Sequence, residues 1–462
     1  MNIVFASPEC FPFAKAGSLA DLVCKLSKDI EKTGNNVKIF IPRYGLIDPS
    51  IFHIERLPLD FKVKYPNDGK ESFVLTSVYK GILPNSLVSV FLIESQNHFS
   101  NSKEIYLSSS ADKERFGFFS RAVLEIINRL KINLDIFHLF NNETARILTL
   151  LKNKNIEYAN LKSKGILYTI YETNNDSLNI DLEAISNADF VTTPSGTYAY
   201  ELLSGIYGSG MTNSLIQKKD LFCGILTSPD EDTYNPETDS LISQVYTKNY
   251  FTPGKKKCKE DLLELAGFDG GTQSPLFGLI SRFSDNESRE LLKSAIQSIS
   301  SLNLQVLILV TGNESYFEEL YKLTEQYKNI RVIFSKHYED SITRKIYSGS
   351  DFLLSLKQSE PSGLSVLIGM IYGSIPVAYS IGAIKEIVID VEFGEKANGF
   401  VFKELKKESF LETLEKAIRY YKNKEIWPGL VKQAMSFNSS EFGAAKKYLN
   451  CYERVIKVPV KS

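Results

Sequence analysis

Cysteine and histidine are scarce in this chain of 462 residues. Its five cysteines are odd in number and form no Cys-x-x-Cys pair, and its four histidines lie far apart along the chain. Metal sites need such ligands at short, regular spacing, so the sequence predicts no metal site. Cysteines without a disulfide pattern are also typical of a reducing compartment, so we expect a cytoplasmic protein.

Net charge and long apolar runs are missing as well. The chain carries 54 lysines and arginines against 55 aspartates and glutamates, so no overall positive field attracts nucleic acid. No apolar run approaches the ~18 residues that a transmembrane helix requires. The opening sequence MNIVFASPEC lacks the basic segment of a secretion signal. We therefore expect a soluble protein whose partners include neither nucleic acid nor a membrane.

Short apolar runs alternate with longer segments of helical periodicity. NIVFAS is followed by LADLVCKLSKDIEKTG, with apolar residues three or four positions apart, and then by VKIFIPRYG. The alternation returns at PLFGLISR and continues from there. Runs that are apolar at nearly every position indicate parallel strands covered on both faces. Since the chain exceeds what one core usually supports, we expect an α/β protein with two Rossmann-like, doubly wound parallel-sheet domains.

The turn-rich segment Thr227–Asp239 is the expected domain boundary. Two prolines interrupt any regular element there. We expect one Rossmann-like domain over residues 1–235 and a second over 236–435, facing each other across a cleft.

The first motif is the loop after NIVFAS, within Ser7–Val23. Gly17 permits a tight turn, Ser18 can cap the next helix, and the first N–H groups of that helix carry partial positive charge. Lys15 adds a full charge, so the loop suits an anionic phosphate. Short glycine loops after strands are common in α/β proteins, so the alternative is a solvated lysine beside an ordinary turn.

The second motif, Glu360–Ser365, lies between the apolar strand DFLLSL and a helix that begins near Leu364. It places a carboxylate at the carboxyl end of a strand, where ligands of open α/β sheets bind. Glu360 can accept hydrogen bonds from sugar hydroxyl groups. The alternative is that this acid only stabilises the first turn of the helix.

Both motifs resemble those of bacterial glycogen synthases and plant starch synthases. CFPFAKAGSLADLV is similar to the N-terminal loop of that family. ERFGFFSRAVLE, DFVTTPSGTYAYEL, YNPETDSLI, PLFGLISRFS and SEPSGL then follow the family in order and spacing, over essentially the whole chain. The closing SFNSSEFGAAKKYLNCY resembles the family's last helix, so the resemblance implies that residues 436–462 form a C-terminal helix that crosses back to the N-terminal domain.

The resemblance implies a GT-B fold and a reaction. The family transfers glucose from the nucleotide sugar ADP-glucose to the non-reducing end of an α-1,4-glucan, with retention of configuration and without a metal or other cofactor. By this resemblance, residues 1–235 form the acceptor-side domain and residues 236–435 form the nucleotide-sugar domain.

The resemblance also implies roles for residues of both motifs. Arg282 would neutralise the leaving diphosphate, and Glu360 would hold the glucose and the charge of the transition state. Positioned charges of this kind lower the barrier when negative charge builds on phosphate oxygens. The residues implied in donor binding are Lys15, Gly17, Ser18, Asp21, Ser362, Gly363 and Leu364.

Several positions depart from the family pattern where its chemistry lies. The family's HDWH is FNNE here, so Glu143 replaces the histidine expected beside the reacting sugar. TIHN is TIYE, ending at Glu172, and the acceptor-side segment that normally follows is largely missing. Glu287 replaces a lysine expected near the leaving phosphates. Ala383 replaces a glycine, and its methyl group can obstruct a backbone that approaches the ligand or needs a positive φ.

Competing functions stay open on the sequence alone. Lys15, Arg282 and Glu360 favour a working glucosyltransferase. Glu143, Glu287 and the missing segment favour a catalytically impaired relative that binds a glucan, a nucleotide or a regulatory partner. A glycosyltransferase with a different sugar donor is the third possibility. The sequence indicates neither the oligomeric state nor the base of the nucleotide.

Overall fold

The computed structural model describes residues 1–65, 73–152, 158, 161, 163–173, 175–206, 210–269 and 271–457. These residues form two compact units. The N-terminal unit comprises Met1–Ser228 and the chain from Phe442 onwards, and the C-terminal unit comprises Pro229–Glu441. The expected domain limits at 235 and 435 stay predictions. In the ranges just given, no helix is long and apolar enough to cross a membrane.

The strands alternate with helices along most of the chain. The strands are β1 Asn2–Ala6, β2 Asn36–Pro42, β3 Glu55–Lys64, β4 Phe73–Ile82, β5 Ser89–Glu94, β6 Ile136–Phe140, β7 Gly165–Thr169, β8 Phe190–Thr193, β9 Phe222–Gly224, β10 Leu276–Ser281, β11 Gln305–Thr311, β12 Ile330–Ser335, β13 Phe352–Ser355, β14 Ile375–Tyr379 and β15 Phe400–Phe402.

The helices mostly connect consecutive strands, as the sequence pattern predicts. The α-helices are α1 Ser18–Glu31, α2 Ser109–Arg129, α3 Asn142–Lys152, α4 Leu178–Asn187, α5 Gly196–Leu203, α6 Thr212–Gln217, α7 Thr252–Leu265, α8 Asn286–Ser300, α9 Glu314–Thr324, α10 Asp340–Gly349, α11 Leu364–Ile371, α12 Ile384–Ile387, α13 Lys407–Lys422, α14 Trp427–Met435 and α15 Ala444–Lys457. Short 3₁₀ turns lie at Asn175–Ser177, Lys219–Leu221, Val391–Phe393 and Ser439–Phe442, and a π turn lies at Gln96–Ser100.

The N-terminal unit contains a nine-stranded sheet with the order β3-β4-β5-β2-β1-β6-β7-β8-β9. All neighbouring pairs from β5 to β9 are parallel. β6 and β7 are buried at every position. Apart from His138 and Thr169, which pair with each other, these mostly apolar strands are covered on both faces, and the predicted doubly wound parallel sheet is confirmed.

An antiparallel hairpin at one edge of this sheet was not predicted. β3 pairs with β4, and β4 pairs with β5, in antiparallel orientation. The segment that joins β3 to β4 is too short for the helical crossover that a parallel pair requires. β3 buries only Phe61 and Val63, which lie two positions apart on one face. This edge strand therefore follows the alternating pattern and not the continuous apolar one.

The last helix, α15, packs within the N-terminal unit against α1 and β7. The hydroxyl of Tyr452 lies 2.8 Å from Nδ1 of His138, and Nε2 of His138 lies 2.6 Å from Oγ1 of Thr169. His138 is fully buried, and this burial holds its pKa well below the ordinary value. Val455 packs directly on Gly165: a Cβ added at Gly165 would lie 1.8 Å from Cγ1 of Val455. The position of α15 is therefore fixed by hydrogen bonds and by close packing.

The C-terminal unit contains a six-stranded parallel sheet with the order β12-β11-β10-β13-β14-β15. β11 is buried at all seven positions. Helices α7, α10 and α11 contribute to a core cluster on this sheet, with large side chains such as Tyr246, Tyr347 and Tyr372. Each unit is therefore a doubly wound α/β structure, as expected.

Candidate active site

Nearly all the residues singled out from the sequence follow the strands at which the order of each sheet reverses. In the N-terminal unit, β1 and β6 are adjacent without being consecutive, and in the C-terminal unit β10 and β13 have the same relation. The loops that follow two such strands run in opposite directions, and a crevice forms between them at the carboxyl ends of the strands. Ligands of open α/β sheets bind in this crevice, so each unit has one candidate binding edge.

Lys15 follows β1 and is held by an ion pair. Its Nζ lies 2.9 Å from Oδ1 and 2.7 Å from Oδ2 of Asp21, in the first turn of α1. Both side chains are almost fully buried, at 7% and 4% exposure. The ammonium group also lies 5.4 Å from the ring centroid of Phe11. Lys15 is therefore an ordered, shielded cation and not a solvated loop lysine, and Asp21 positions it.

The amides near Gly17 bind a carboxylate of the protein itself. Oε2 of Glu9 accepts hydrogen bonds from the N–H groups of Ala16 at 2.6 Å and of Gly17 at 3.0 Å. Oε1 of Glu9 accepts one from the hydroxyl of Tyr106 at 3.0 Å. The sequence analysis missed Glu9, although it is an acid between β1 and the loop. These two N–H groups are therefore already paired where we expected donors for a phosphate.

The start of α1 also differs from the prediction. Gly17 is the capping residue and Ser18 is the first helical residue, with no side-chain hydrogen bond at the cap. Gly17 has a φ of −147°, so the turn needs no left-handed residue. The expected capping role of Ser18 is wrong, because Ser18 already lies in the first turn of the helix.

Glu143 lies after β6, in the first turn of α3. Its Oε2 accepts a hydrogen bond of 3.0 Å from Nδ2 of Asn141. Asn141 has a φ of +63°, and its Oδ1 accepts the backbone N–H groups of Tyr171 at 3.3 Å and Glu172 at 3.2 Å. Asn141 therefore ties the end of β6 to the chain after β7 and orients the carboxyl group of Glu143.

The carboxyl group of Glu143 has an unusual protonation equilibrium. Burial raises its pKa from the ordinary 4.5 to about 8; the nearby acids Asp181 and Glu9 add to the rise, and the hydrogen bond from Asn141 opposes it. Asp181 accepts hydrogen bonds from the hydroxyls of Tyr168 and Ser177, and burial raises its pKa to about 6. At neutral pH, Glu143 is therefore mainly a neutral carboxylic acid that can donate a hydrogen bond.

Arg282 and Glu287 lie in the segment that leaves β10. Arg282 directly follows the strand and is half-buried. The next residue, Phe283, has a φ of +49°, and its ring packs at 4.7 Å from that of Tyr316. Glu287 is exposed in the first turn of α8, whose cap, Asp285, accepts the N–H of the third helical residue. Glu287, the acid that replaces the family's lysine, therefore lies at the solvent-exposed start of a helix.

Glu360 lies in the segment between β13 and α11 and is 4% exposed. Its Oε2 is 3.0 Å from Nζ of Lys357, and its Oε1 accepts the N–H of Gly363 at 3.1 Å. The side chain lines a pocket of the C-terminal unit together with Ser281, Phe283 and Lys357. The structure therefore brings Glu360 to a concave surface at the reversal of strand order.

The backbone around Glu360 depends on two glycines. Gly363 has a φ of +63°, and a Cβ there would lie 2.5 Å from Cδ1 of Ile387. Gly382 has a φ of +49°, and a Cβ there would lie 2.2 Å from the carbonyl oxygen of Glu360. These positions are strained for any other residue. At the start of α11, the N–H of Leu364 lies 3.4 Å from Oγ of Ser362.

Ala383 does not have the strain that its methyl group led us to expect. Its φ is −60° and its ψ is −24°, the right-handed helical region, and its N–H donates to the carbonyl of Glu360 at 2.9 Å. The residue in the left-handed region is the preceding Gly382. A glycine is therefore not required at 383 by backbone conformation.

Metal ligation finds no support among the residues that the structure describes. In them, no group of three or more histidine, cysteine, aspartate or glutamate side chains is placed to hold a metal ion.

Comparisons with known proteins agree with the fold. Residues 2–217 match the family described as starch synthase catalytic domain, and residues 270–427 match glycosyl transferases group 1. The chain is similar to the catalytic domain of starch synthase IV from Arabidopsis thaliana, a structure bound to ADP and acarbose, with a TM-score of 0.88 and 26% identity over 99% of both chains. These findings define a glycosyltransferase of the GT-B fold.

Curated relatives narrow this class. The chain is 29% identical to the glycogen synthase of Clostridium novyi and 28% identical to that of Desulforamulus reducens, with 99% of each chain covered. The chain belongs to the bacterial glycogen synthase and plant starch synthase family, as a divergent member. The alignment with the Clostridium protein spans 490 positions, 28 more than the 462 residues here, so this chain lacks residues that its relative has. That they fall on the acceptor side stays a prediction.

Proposed function

We propose that this protein is a retaining glucosyltransferase that moves glucose from ADP-glucose to the non-reducing end of an α-1,4-glucan. Full-length similarity to glycogen synthases supports this, as does similarity to a starch synthase whose structure holds ADP and acarbose. The observation that carries the proposal is the buried Glu360, held by Lys357 and the Gly363 amide at the reversal of strand order.

Glu360 is proposed to bind the transferred glucose. One partner on each oxygen fixes the orientation of the carboxylate. A carboxylate oxygen has more than one acceptor site, so both oxygens can still accept a sugar hydroxyl. The negative charge then lies where the sugar becomes oxocarbenium-like, and this stabilises the transition state more than the ground state. The backbone of Ser362, Gly363 and Leu364 is proposed to complete the sugar site.

Arg282 and Lys15 are proposed to bind the diphosphate of the donor. Negative charge grows on the phosphate oxygens as ADP leaves, and a positioned cation lowers the free energy of that state. Lys15 fits this role because Asp21 holds its ammonium group in place before any ligand binds. With Ala16 and Gly17 paired to Glu9, we assign the phosphate contact of this loop to Lys15 rather than to those amides.

Glu143 is proposed to act in its neutral form. An ionised carboxylate near departing phosphates would oppose the reaction by charge repulsion. Because its pKa is about 8, Glu143 carries a proton at neutral pH and can donate a hydrogen bond to a sugar hydroxyl. Replacement of the family's histidine is therefore compatible with activity. The full-length relatives named above are synthases, so the comparisons do not favour a catalytically impaired protein.

The experiment is incubation with radiolabelled ADP-glucose and glycogen, repeated with UDP-glucose. We expect label in the glucan, with ADP-glucose as the better donor. Glu360→Gln should lose most of the turnover, whereas Glu395→Gln, an exposed acid of the same unit, should keep it. Absence of transfer from either donor by a protein with the expected circular dichroism would contradict the proposal.

A further inference from the structure

Two cysteines that are far apart in sequence meet at the sheet edge of the N-terminal unit. Cys223 lies in β9, the last strand of the sheet, and Cys451 lies on α15. Their Sγ atoms are 3.9 Å apart, and both are free thiols. We propose that Cys223 and Cys451 form a reversible disulfide that links α15 to β9, a modification site outside the proposed catalytic machinery.

The surrounding packing holds the backbone at both cysteines in place. Cys223 is paired with Thr192 of β8, and the next residue, Gly224, is so close to α5 that a Cβ would lie 1.8 Å from the carbonyl oxygen of Ser195. On α15, the residue after Cys451 is Tyr452, which is bound to His138. Disulfide formation therefore requires closure from 3.9 Å to the ~2.0 Å of an S–S bond, by side-chain rotation.

The two thiols differ in exposure and in pKa. These differences suit Cys223 to attack an external disulfide and Cys451 to complete the protein disulfide. Cys223 is half-buried, whereas the other four cysteines of the chain, all described, are buried. The hydrogen bond between Cys223 and Cys451 lowers the pKa of the Cys223 thiol, and the positive charges of Arg454 and Lys447 on α15 add to this. The same hydrogen bond raises the pKa of Cys451. Arg454 is itself fixed, because its guanidinium donates to the carbonyl of Asp220 at 2.6 Å.

The reaction needs a small-molecule disulfide such as oxidised glutathione as the oxidant. The Cys223 thiolate attacks one glutathione sulfur, the glutathione disulfide breaks, and the first glutathione leaves as a thiolate. The thiol of Cys451 then loses its proton and attacks the sulfur of Cys223. The second glutathione leaves and takes up the proton, so two protein thiols are oxidised and one glutathione disulfide is reduced to two thiols.

The test uses the full chain, reduced and then exposed to oxidised glutathione, with free thiols blocked by N-ethylmaleimide before digestion and mass spectrometry. We expect one cross-linked peptide joining residues 223 and 451. Cys258→Ser should leave this peptide unchanged. Cys451→Ser should retain one glutathione on Cys223, because the resolving thiol is gone, and Cys223→Ser should retain none.

A second readout is thermal unfolding of the oxidised and reduced chain. A cross-link between residues 228 positions apart restricts the unfolded chain, so we expect the unfolding temperature to rise by about 5 °C or more on oxidation. The Cys223→Ser chain should show no such rise. Absence of the cross-linked peptide overturns the proposal whatever the serine variants show, and so does a cross-link that forms between other cysteines instead.

Discussion

Replacing Glu143 by glutamine should change how stability depends on pH. In the folded chain, burial raises the pKa of this carboxyl group from 4.5 to about 8. Below pH 4.5 it is protonated in both the folded and the unfolded state. As pH rises towards 8, the unfolded chain ionises while the folded chain keeps its proton. Folding stability is therefore lost between these values, and Glu143→Gln removes the loss because glutamine does not titrate.

The size of the effect follows from the two pKa values. Each pH unit of separation is worth about 1.4 kcal/mol, so the interval from 4.5 to about 8 gives ~5 kcal/mol as an upper bound. The side chain is partly exposed, and solvent screening reduces the value, so we expect ~2 to 3 kcal/mol. For a unit of this size, that corresponds to an unfolding temperature higher by about 5 to 10 °C.

The assay is differential scanning calorimetry of the two proteins from about pH 5 to about pH 8.5. Asp181, whose pKa is raised to about 6, titrates in the lower part of this range in both proteins, so the comparison is cleanest above about pH 7. Glu287→Gln is the matched control, because Glu287 is also the second residue of a helix but is exposed. If Glu143→Gln and wild type lose stability in parallel as pH rises, Glu143 is not a neutral acid in the folded protein.

Three further predictions concern the proposed chemistry and its backbone. Glu360→Gln should reduce kcat, whereas Lys15→Ala should mainly raise the apparent KM for the donor; steady-state kinetics showing the reverse would exchange the two roles. Glu287→Lys should strengthen ADP binding several-fold in calorimetric titrations at low salt, with a smaller gain at high salt; equal affinities would mean that residue 287 does not face the phosphates. Gly382→Ala should lower the free energy of unfolding, measured with urea, by ~2 kcal/mol or more, because the added Cβ would lie 2.2 Å from the carbonyl oxygen of Glu360. Gly34 also has a left-handed backbone but no atom near its missing Cβ, so Gly34→Ala should lower the free energy of unfolding by only ~1 kcal/mol.

The sequence predicted what depends on local pattern. Continuous apolar runs located the parallel strands, and the position of Glu360 after such a run placed it at the carboxyl edge of the sheet. The hairpin of β3 and β4 was missed because its residues alternate and no short-range signal told this edge from a loop. The prediction of the reaction came from the resemblance to a known family, because no residue pattern alone could specify it.

Contacts made across the fold could not be predicted in the same way. The amides of Ala16 and Gly17 look free in a linear sequence, and only the folded loop shows that Glu9 binds them. Ala383 was expected to be strained, but the left-handed residue is its neighbour. The raised pKa of Glu143 results from burial and from acids on other elements, which become neighbours only after folding.

The place of α15 in the N-terminal unit has a consequence for the order in which the chain is made. A ribosome produces residues 1–228 first and must then synthesise the whole C-terminal unit before Ala444–Lys457 emerge. Until then, His138 lacks the hydroxyl of Tyr452, and the surface of Gly165 that Val455 covers stays open to solvent. The half of the protein that is translated first is therefore completed last, and nascent chains stalled before residue 444 should expose this apolar surface to chaperones.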